Sequence, residues 1–398
     1  MRPAPTPARG PRLGELARLF LRLGLTAFGG PAAHIALFRH EVVVRRRWLS
    51  EQRFLDLLGA ASVLPGPTST EVAIAIGQER AGWRGMLVSG TLFVLPAALI
   101  VLLLAMAYER FGSLPQIDWI LYGIQPVVIA VVAHALIGLA PSAIRDAPTA
   151  LIGSGAIALT LLGYDPLLVL GVGAVMLLAL RGLALVAGRQ LGAVAGGLGG
   201  LGGPGGLDGN GMAGPAAVVT AHAVGLGAIF LTFLKMGLLV FGSGYVLIAF
   251  LRADFVAPGL LTDRQLLDGV AIGQVTPGPV FTTATFIGYL LAGVPGAIVA
   301  TIAVFLPSFV LVGLVHPIVP RLRASPVMSA LLDGVNAAAL GLMAAVSFEL
   351  ARTAVVDAVT AVVAIVSLLV LVRWRVNPVW LLVVGGAVGV VVGVTGRP

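Results

Sequence analysis

The chain contains 398 residues, of which 58% are hydrophobic and only 11% are charged. Soluble domains carry roughly 25% charged residues, so this composition excludes an ordinary water-soluble enzyme and indicates a chain solvated by lipid. The formal net charge of +8 does not indicate a nucleic-acid partner, because the arginines cluster in short loops beside apolar segments. The chain has no cysteine and no closely paired histidines, so we expect no metal site and no cofactor.

The predicted elements begin after a basic, Pro-rich tail, residues 1–12, which lacks the cleavage site of a signal peptide. The apolar segment from Leu16 to about Leu37 is long enough to cross a membrane once. A proline behind two glycines interrupts this segment, which predicts a broken membrane helix. The interruption consists of Phe28, Gly29, Gly30 and Pro31.

The stretch from residue 51 to residue 80 is divided by the sequence Pro65-Gly66-Pro67. Each part has roughly 13 residues and is too short to cross a membrane. The sequence therefore predicts a re-entrant hairpin with the two prolines at its tip. Four further apolar segments are expected to cross the membrane, namely residues 86–108, 118–140, 149–163 and 166–187.

The second half of the chain repeats the first. The segment FLRLGLTAFGGP begins at Phe20 and matches FLKMGLLVFGSG, which begins at Phe233, at an offset of 213 residues. The second break consists of Phe241, Gly242, Ser243 and Gly244, and the second tip of Pro277, Gly278 and Pro279. We divide the chain into a tail (1–12), an N-terminal repeat (13–187), a flexible Gly-rich linker (188–215) and a C-terminal repeat (216–398).

The charges beside the two hairpins indicate that these enter the membrane from opposite faces. Arginines at 45–47 and Arg53 flank the first hairpin, whereas Asp254, Asp263 and Asp268 accompany the second. Five crossings per repeat, an odd number, invert the second repeat relative to the first. The expected fold class is an all-α polytopic membrane protein of two inverted homologous repeats, each with about five crossings, a broken helix and a re-entrant hairpin.

The N-terminal tail does not fit this count. Ten crossings place both termini outside the cell, yet the tail carries Arg2, Arg9 and Arg12, which favour the cytoplasmic side. If the first apolar segment is itself re-entrant, the tail moves to the cytoplasmic side. The sequence leaves both arrangements open.

Inverted repeats with broken helices are typical of secondary transporters, whose substrate sites lie at the breaks. After each tip a helix begins with free N–H groups and a positive dipole end, which favours an anion. Helix capping by the hydroxyl groups and close helix packing at the glycines explain the same residues without a ligand. The substrate-binding candidates at the breaks and tips are Gly29, Gly30, Gly66, Thr68, Ser69, Thr70, Gly242, Ser243, Gly278, Thr282 and Thr283.

Two cations lie inside apolar segments, where an unpaired charge is costly. Arg22 and Lys235 align at the repeat offset of 213, and two matched cations would suit a dianion, although both could instead extend toward an interface. Glu71 could carry a proton or pair with Arg22. The remaining polar candidates for coupling or packing are His34, Gln125, Asn336, Asp56 and Asp268, of which the two aspartates occupy matched hairpin arms and are expected to pair with arginine or close a gate.

Several of these motifs together resemble one family. The sequences FGGPAAHIALFRHEVV and LPGPTST, repeated in altered form as FGSGYVLIAFLRADFV and GQVTPGP, resemble the chromate ion transporter family in its long, two-domain form. The resemblance covers almost the whole chain outside the tail and the linker. It implies a multi-pass protein of the bacterial cytoplasmic membrane that exports the chromate dianion and confers chromate resistance. Export would be driven by the membrane potential or the proton gradient, with sulfate as a competing anion; a homodimer stays open.

Other functions are weighed against this one. A transporter of the same kind could carry sulfate or another tetrahedral oxyanion in either direction, since these anions share charge and shape with chromate. An anion channel would favour a continuous polar stripe, and a membrane enzyme acting on lipid phosphates would need clustered Asp or paired His. The chain also has no P-loop for ATP hydrolysis, so we expect a secondary transporter and not an enzyme.

Overall fold

The computed structural model describes residues 13–62, 64–112, 114–194, 225–240, 244–315, 325–374 and 376–396, and these are helical with short connections. The first half contains α1 (Leu13–Thr26), α2 (Gly30–Arg39), α3 (Glu51–Ala61), α4 (Thr68–Phe111), α5 (Pro115–Ala143), α6 (Ala147–Leu161) and α7 (Pro166–Val194). The second half contains α8 (Leu226–Leu239), α9 (Val246–Leu251), α10 (Asp263–Val275), α11 (Thr283–Val315), α12 (Pro326–Ala354), α13 (Ala358–Trp374) and α14 (Pro378–Val394). Wide π-turns extend α2 (His40–Arg45) and α9 (Arg252–Val256), and a 3₁₀ turn (Val280–Thr282) precedes α11.

Helix α4 reverses its direction near its middle. Ala81 (φ −145°) and Gly82 (φ 60°) leave the helical conformation, and a Cβ atom on Gly77 would collide with the carbonyl of Gly85. In a straight helix these two residues would lie about 12 Å apart. Helix α4 therefore consists of two antiparallel parts, α4a (68–80) and α4b (83–111). Helix α11 reverses in the same way at Ala292 and Gly293, between α11a (283–291) and α11b (294–315).

The predicted helical hairpin is present in both halves, and its re-entrant position in the membrane stays a prediction. Arg53, near the start of α3, donates to Glu79, near the end of α4a, with an Nη2–Oε2 distance of 2.7 Å. Because the two ends meet, α3 and α4a are antiparallel arms that join at the Pro-Gly-Pro tip. In the second half α10 and α11a form the equivalent pair, and a Cβ atom on Gly269 would lie 2.7 Å from the Phe286 ring.

The first apolar segment is broken as expected, but the chain doubles back at the break. Gly29 (φ 102°) and Gly30 (φ 77°) turn the backbone, and the rings of Phe20 and Phe38 then lie 5.9 Å apart. A chain that continued in one direction would separate these residues by about 27 Å. The segment therefore doubles back, as the re-entrant alternative requires, because glycines with positive φ reverse it. Phe233 and Phe255, with ring centroids 5.4 Å apart, show the same reversal in the second half. The number of crossings stays a prediction.

Equivalent helices of the two halves pack against each other in antiparallel directions. Met86 of α4b lies beside Gly313 of α11b, with the Met86 sulfur 3.4 Å from a Cβ atom built on Gly313, and Gly90 lies beside Phe309. Arg145, just after α5, likewise reaches Asp333 near the start of α12, with an Nη1–Oδ1 distance of 3.5 Å. Antiparallel packing of equivalent helices is what an inverted repeat requires, and the inverted orientation of the two halves in the membrane stays a prediction.

Four of the described helices are long and apolar enough to cross a membrane, namely Thr68–Phe111, Pro115–Ala143, Val280–Leu314 and Pro326–Ala354. Large apolar side chains such as Leu103, Leu231 and Leu314 are exposed on the outside of the fold. This surface suits hydrocarbon rather than water, so the chain is a multi-pass membrane protein. The N-terminal tail and most of the Gly-rich linker lie outside the described residues, and the repeat boundaries stay predictions.

Candidate functional site

The breaks and tips of the two halves meet. The Gly66 N–H of the first tip donates to the carbonyl of Val240, the residue before the second break, at 2.7 Å. The Gly278 N–H of the second tip donates to the carbonyl of Ala27, the residue before the first break, at 2.9 Å. Each tip therefore contacts the break of the other half, and the candidate site is built from both repeats.

Only glycine suits the middle of each tip. Gly66 has a φ of 132° and Gly278 a φ of 97°, which side chains on L-residues rarely allow. A Cβ atom on Gly66 would lie 2.6 Å from Ser308 Oγ, and one on Gly278 would lie 2.8 Å from Ala97 Cβ. The flanking Pro65, Pro67, Pro277 and Pro279 cannot donate a backbone hydrogen bond and fix the chain direction on both sides.

His34 supports the first break. Its ring is buried, and Nε2 lies 3.1 Å from the Ala27 carbonyl oxygen, which also accepts from Gly278. The ring packs edge-on against Phe93 at 5.6 Å between centroids. These contacts hold the break against the second tip, and they favour a positioning role for His34 over contact with a substrate.

The hydroxyl groups after the two tips differ between the halves. Thr282 and Thr283 donate to the carbonyls three residues earlier, Pro279 and Val280, each at 2.9 Å. In the second half these hydroxyls therefore cap their own turn. In the first half, Thr70 Oγ1 is buried and has no hydrogen-bond partner among the described residues, while Ser69 is buried beside it and Thr68 is partly exposed.

A buried carboxyl group accompanies the first tip. Glu71 is 0% exposed, and neither of its carboxyl oxygens has a hydrogen-bond partner among the described residues. Its Oε1 lies 2.7 Å from the point where Gly66 would carry a Cβ atom, close to the equally buried and unpartnered Ser308 Oγ. The predicted pairing of Glu71 with Arg22 is not made in this structure, because another carboxylate binds that arginine.

The two matched cations each bind a carboxylate 19 residues further along the chain. Arg22 pairs with Glu41, and Lys235 Nζ lies 2.7 Å from Asp254 Oδ1. Both pairs connect the first helix of a half to its π-turn, which is possible only because the chain doubles back. The side chains of Arg22 and Lys235 are 45% and 31% exposed, so the cations lie away from the buried tips.

Glu41 has more cationic partners than Asp254. Arg45 and Arg46 also pair with it, so three guanidinium groups surround one carboxylate. Partial burial raises the pKa of Glu41, but hydrogen bonds from Arg22 and Arg45 and the charge of Arg46 outweigh this and hold the pKa below its usual value. The cluster keeps a surplus of positive charge at the end of α2 that is remote from the break.

Asp268 and Asp56 occupy matched hairpin arms but have different surroundings. Asp268 is fully buried and accepts hydrogen bonds from Gln125 Nε2 at 2.8 Å and from the Tyr108 hydroxyl at 2.9 Å. Asp56 is exposed and accepts from Gln52 at 3.1 Å. Asp268 thus binds an amide and a phenol and not the expected arginine.

Most of the remaining predicted residues belong to the two breaks, and Asn336 belongs to α12. Gly30 lies near the Tyr245 hydroxyl and Gly29 near the Asn377 amide, each 4.0 Å from a Cβ atom built on the glycine. Gly244 is buried against Phe281. Phe28 is exposed, Pro31 and Asn336 are partly buried, and Phe241, Gly242 and Ser243 lie outside the described residues.

The sequence interpretation missed several residues of this region. Glu41 and Asp254 align at the same offset of 213 as the cations they bind, a signal that could have revealed both pairs. Ser308, Tyr108 and Gln274, which accepts from Tyr245 at 3.4 Å, come from distant segments. Among the described residues, no cluster of three or more His, Asp or Glu could hold a metal ion.

A helical chain in two repeated halves, with interrupted helices that meet at its centre, belongs to the class of polytopic transport proteins. The family model described as "Chromate transporter" matches residues 14–178 and again 227–390. The chain therefore belongs to the chromate transporter family. No solved structure matches it.

Curated relatives match over most of their length. A chromate transport protein of Cupriavidus metallidurans is 32% identical over 364 residues, which is 91% of this chain and 88% of the relative. A probable chromate transport protein of Synechococcus elongatus is 32% identical over 90% of this chain and 89% of the relative. A chromate transport protein of Pseudomonas aeruginosa is 32% identical over 85% of this chain and 81% of the relative.

Proposed function

We propose that this protein is a secondary transporter that exports the chromate dianion across the cytoplasmic membrane and thereby confers chromate resistance. The observation that carries the proposal is the meeting of two breaks and two tips from opposite halves, with reciprocal hydrogen bonds from Gly66 and Gly278. Family membership supports chromate as the anion. Sulfate or a related tetrahedral oxyanion is the alternative substrate.

The anion would bind at the first tip. The N–H groups of Thr68 and Ser69 open helix α4 and have no carbonyl one turn earlier in that helix to bind, and the Thr70 hydroxyl is free beside them. We propose that these donors hold the oxyanion, together with the backbone N–H groups that precede Thr282 and Thr283 after the second tip. The N–H groups of Gly66 and Gly278 already donate to carbonyls, so these glycines contribute close approach of the two halves.

The charge of the fold favours entry from one side. Arg22, Arg45 and Arg46 surround Glu41 with a surplus of positive charge, which raises the local concentration of an approaching dianion. The Lys235–Asp254 pair of the second half provides no such surplus. Because arginine-rich loops favour the cytoplasm, we propose that the first half opens inward and that the second half has the opposite orientation, as antiparallel α5 and α12 support.

The membrane potential can drive export without ATP. Moving a dianion outward across an inside-negative membrane is favourable by about 4.6 kcal/mol per 100 mV, which is twice the value for a single charge. This driving force is sufficient for a secondary transporter that alternates between two openings.

The test is uptake of radiolabelled chromate into everted membrane vesicles that are energised by respiration. We expect uptake that collapses when the potential is dissipated and that falls with excess sulfate. A Thr70→Val variant removes the free hydroxyl while keeping the shape, and should lose most of the uptake. The matched Thr282→Val variant removes a hydroxyl that caps its own turn, and should lose less. Energised vesicles without chromate uptake would refute the proposal.

A further inference from the structure

Three unpartnered oxygen-bearing side chains gather at the first tip. Glu71, Thr70 and Ser308 are all 0% exposed, and each leaves oxygen atoms without a hydrogen-bond partner among the described residues. Glu71 Oε1 and Ser308 Oγ lie 2.7 Å and 2.6 Å from the same point, the Cβ position of Gly66. Ser308 belongs to α11b, so both halves contribute to this cluster.

The cluster exists in one half only. Around the second tip the residue that takes the place of Ser308 is Ala97, and the sequence alignment puts Thr283 in the place of Glu71. The breaks and tips are duplicated, but among the described residues a buried carboxyl group with both oxygens unpartnered accompanies the first tip only. One such group beside a tip suits a coupling site that works once in each transport cycle.

No described cation is placed to balance a charge on Glu71. Helix α11 carries no charged residue. Arg22 of α1 forms an ion pair with Glu41, and Lys235 of α8 forms an ion pair with Asp254. His34 of α2 is bound to Ala27, and Arg53 of α3 to Glu79. The other charged groups on these elements are Glu15 and Arg18 at the far end of α1, Arg39 at the end of α2, exposed Glu51 and Asp56 on α3, Arg80 at the end of α4a over the Trp48 ring, and Arg84, Glu109 and Arg110 near the ends of α4b. A buried carboxylate with neither a cation nor a hydrogen bond from the protein is costly, so we infer that the carboxyl group is neutral in this conformation.

We propose that Glu71 binds a proton together with the substrate dianion, so that the protein is a proton–anion symporter. Glu71 lies in the same first turn as the free N–H groups of Thr68 and Ser69. An ionised Glu71 would compete with the dianion for this positive helix end and repel it, and protonation removes the competitor. Linkage is reciprocal, so a bound dianion equally favours the proton. The proton enters with the anion and leaves with it on the other side.

This inference rests on the proposed function and decides between its two driving forces. One proton travelling with one dianion leaves a single net negative charge to cross the membrane. An acidic exterior then opposes export, whereas an inside-negative potential still favours it. The membrane potential is therefore the force that drives chromate out.

The test uses purified full-length protein in proteoliposomes, with the potential clamped at zero by potassium and valinomycin. Radiolabelled chromate is supplied on both sides at equal concentration, with pH 7.5 outside and pH 8.5 inside, so that it is a dianion on both sides. Symport predicts accumulation inside that approaches tenfold for this one-unit difference. In Glu71→Gln, which imitates the neutral acid, exchange of chromate should persist and accumulation should fall to none. Glu51→Gln removes an exposed carboxylate that pairs with Arg39 on the surface, and should accumulate chromate like the wild type.

Each other outcome is informative. Equal concentrations in the wild type, or depletion from the interior, would overturn symport whatever the variants do. Accumulation that survives in Glu71→Gln would overturn the assignment to Glu71. If the wild type moves no chromate at all under any gradient, the proposed function fails first, and that failure is visible without any pH difference.

Discussion

At the residue scale, the two matched ion pairs predict unequal consequences. Glu41 still pairs with Arg45 and Arg46 when Arg22 is removed. Asp254, in contrast, binds Lys235 through one carboxylate oxygen. The other oxygen of Asp254 has no hydrogen-bond partner among the described residues. We expect Lys235→Gln to destabilise the protein by about 2 kcal/mol, because it leaves a partly buried carboxylate unpaired. Arg22→Gln should cost clearly less.

The measurement is thermal unfolding of the purified variants in one detergent. Asp254→Asn added to Lys235→Gln should recover most of the lost stability, because the uncompensated charge is removed together with its partner. Equal losses in Arg22→Gln and Lys235→Gln would contradict this account of the two pairs.

A second prediction concerns the glycine at the first tip. Gly66→Ala places a Cβ atom against Ser308 Oγ and Glu71 Oε1 and forces a positive φ on alanine, so we expect a loss of about 1–3 kcal/mol and of chromate uptake. Gly138→Ala in α5 is the control, since its Cβ atom would meet nothing within 4 Å. It should be neutral or slightly stabilising. Unchanged uptake and stability in Gly66→Ala would show that the two halves do not meet as closely as described.

The residues of the site divide into those that sequence reveals and those that it does not. Gly29, Gly66 and Gly278 can be predicted from the sequence, because a local backbone conformation requires glycine or proline whatever surrounds it. The partner of Arg22 is not local, since it depends on the direction the chain takes after the break. The role of Ser308 is even harder to predict from the sequence. A single hydroxyl group in an apolar helix is part of a site only if another segment packs against it.

At the element scale, helices and their interruptions follow from apolar length and from glycine and proline, and the structure confirms them. The pattern of apolar residues does not determine the direction that the chain takes after an interruption. The segment from Leu16 to Leu37 has the length of one crossing, yet the contact between Phe20 and Phe38 shows that it doubles back. Two positive-φ glycines allow either a kink or a reversal, and packing against α4b decides between them.

The antiparallel packing of α4b and α11b predicts a pattern of cross-links. The chain has no cysteine, so paired cysteines can be introduced without background. We expect Met86→Cys with Gly313→Cys to be joined rapidly by a short bifunctional thiol reagent, because these positions are adjacent. Met86→Cys with Ala297→Cys is the control, since Ala297 is the repeat equivalent of Met86 and would be its neighbour only in parallel helices. Preferential joining of the control pair would refute the packing.

At the scale of the whole molecule, the predicted inversion of the second half implies opposite accessibility of equivalent turns. Trp83, at the reversal of α4, and Val294, at the reversal of α11, are 65% and 39% exposed. Single cysteines at these positions should react with a membrane-impermeant thiol reagent from opposite sides, Trp83→Cys in everted vesicles and Val294→Cys in intact cells. Labelling of both from one side would contradict inverted orientation.

The reciprocal hydrogen bonds of Gly66 and Gly278 join the two halves at the proposed site, so both halves are needed to build it. Each half supplies a tip that binds the break of the other half, as two subunits of a dimer would, although both halves belong to one polypeptide. Genetic complementation follows: when the chain is divided within residues 188–215 and the halves are produced separately, each should be inert alone, and producing them together in one cell should restore chromate transport. A defect at Gly66 in one fragment could then be rescued only by a second, intact copy of that same fragment.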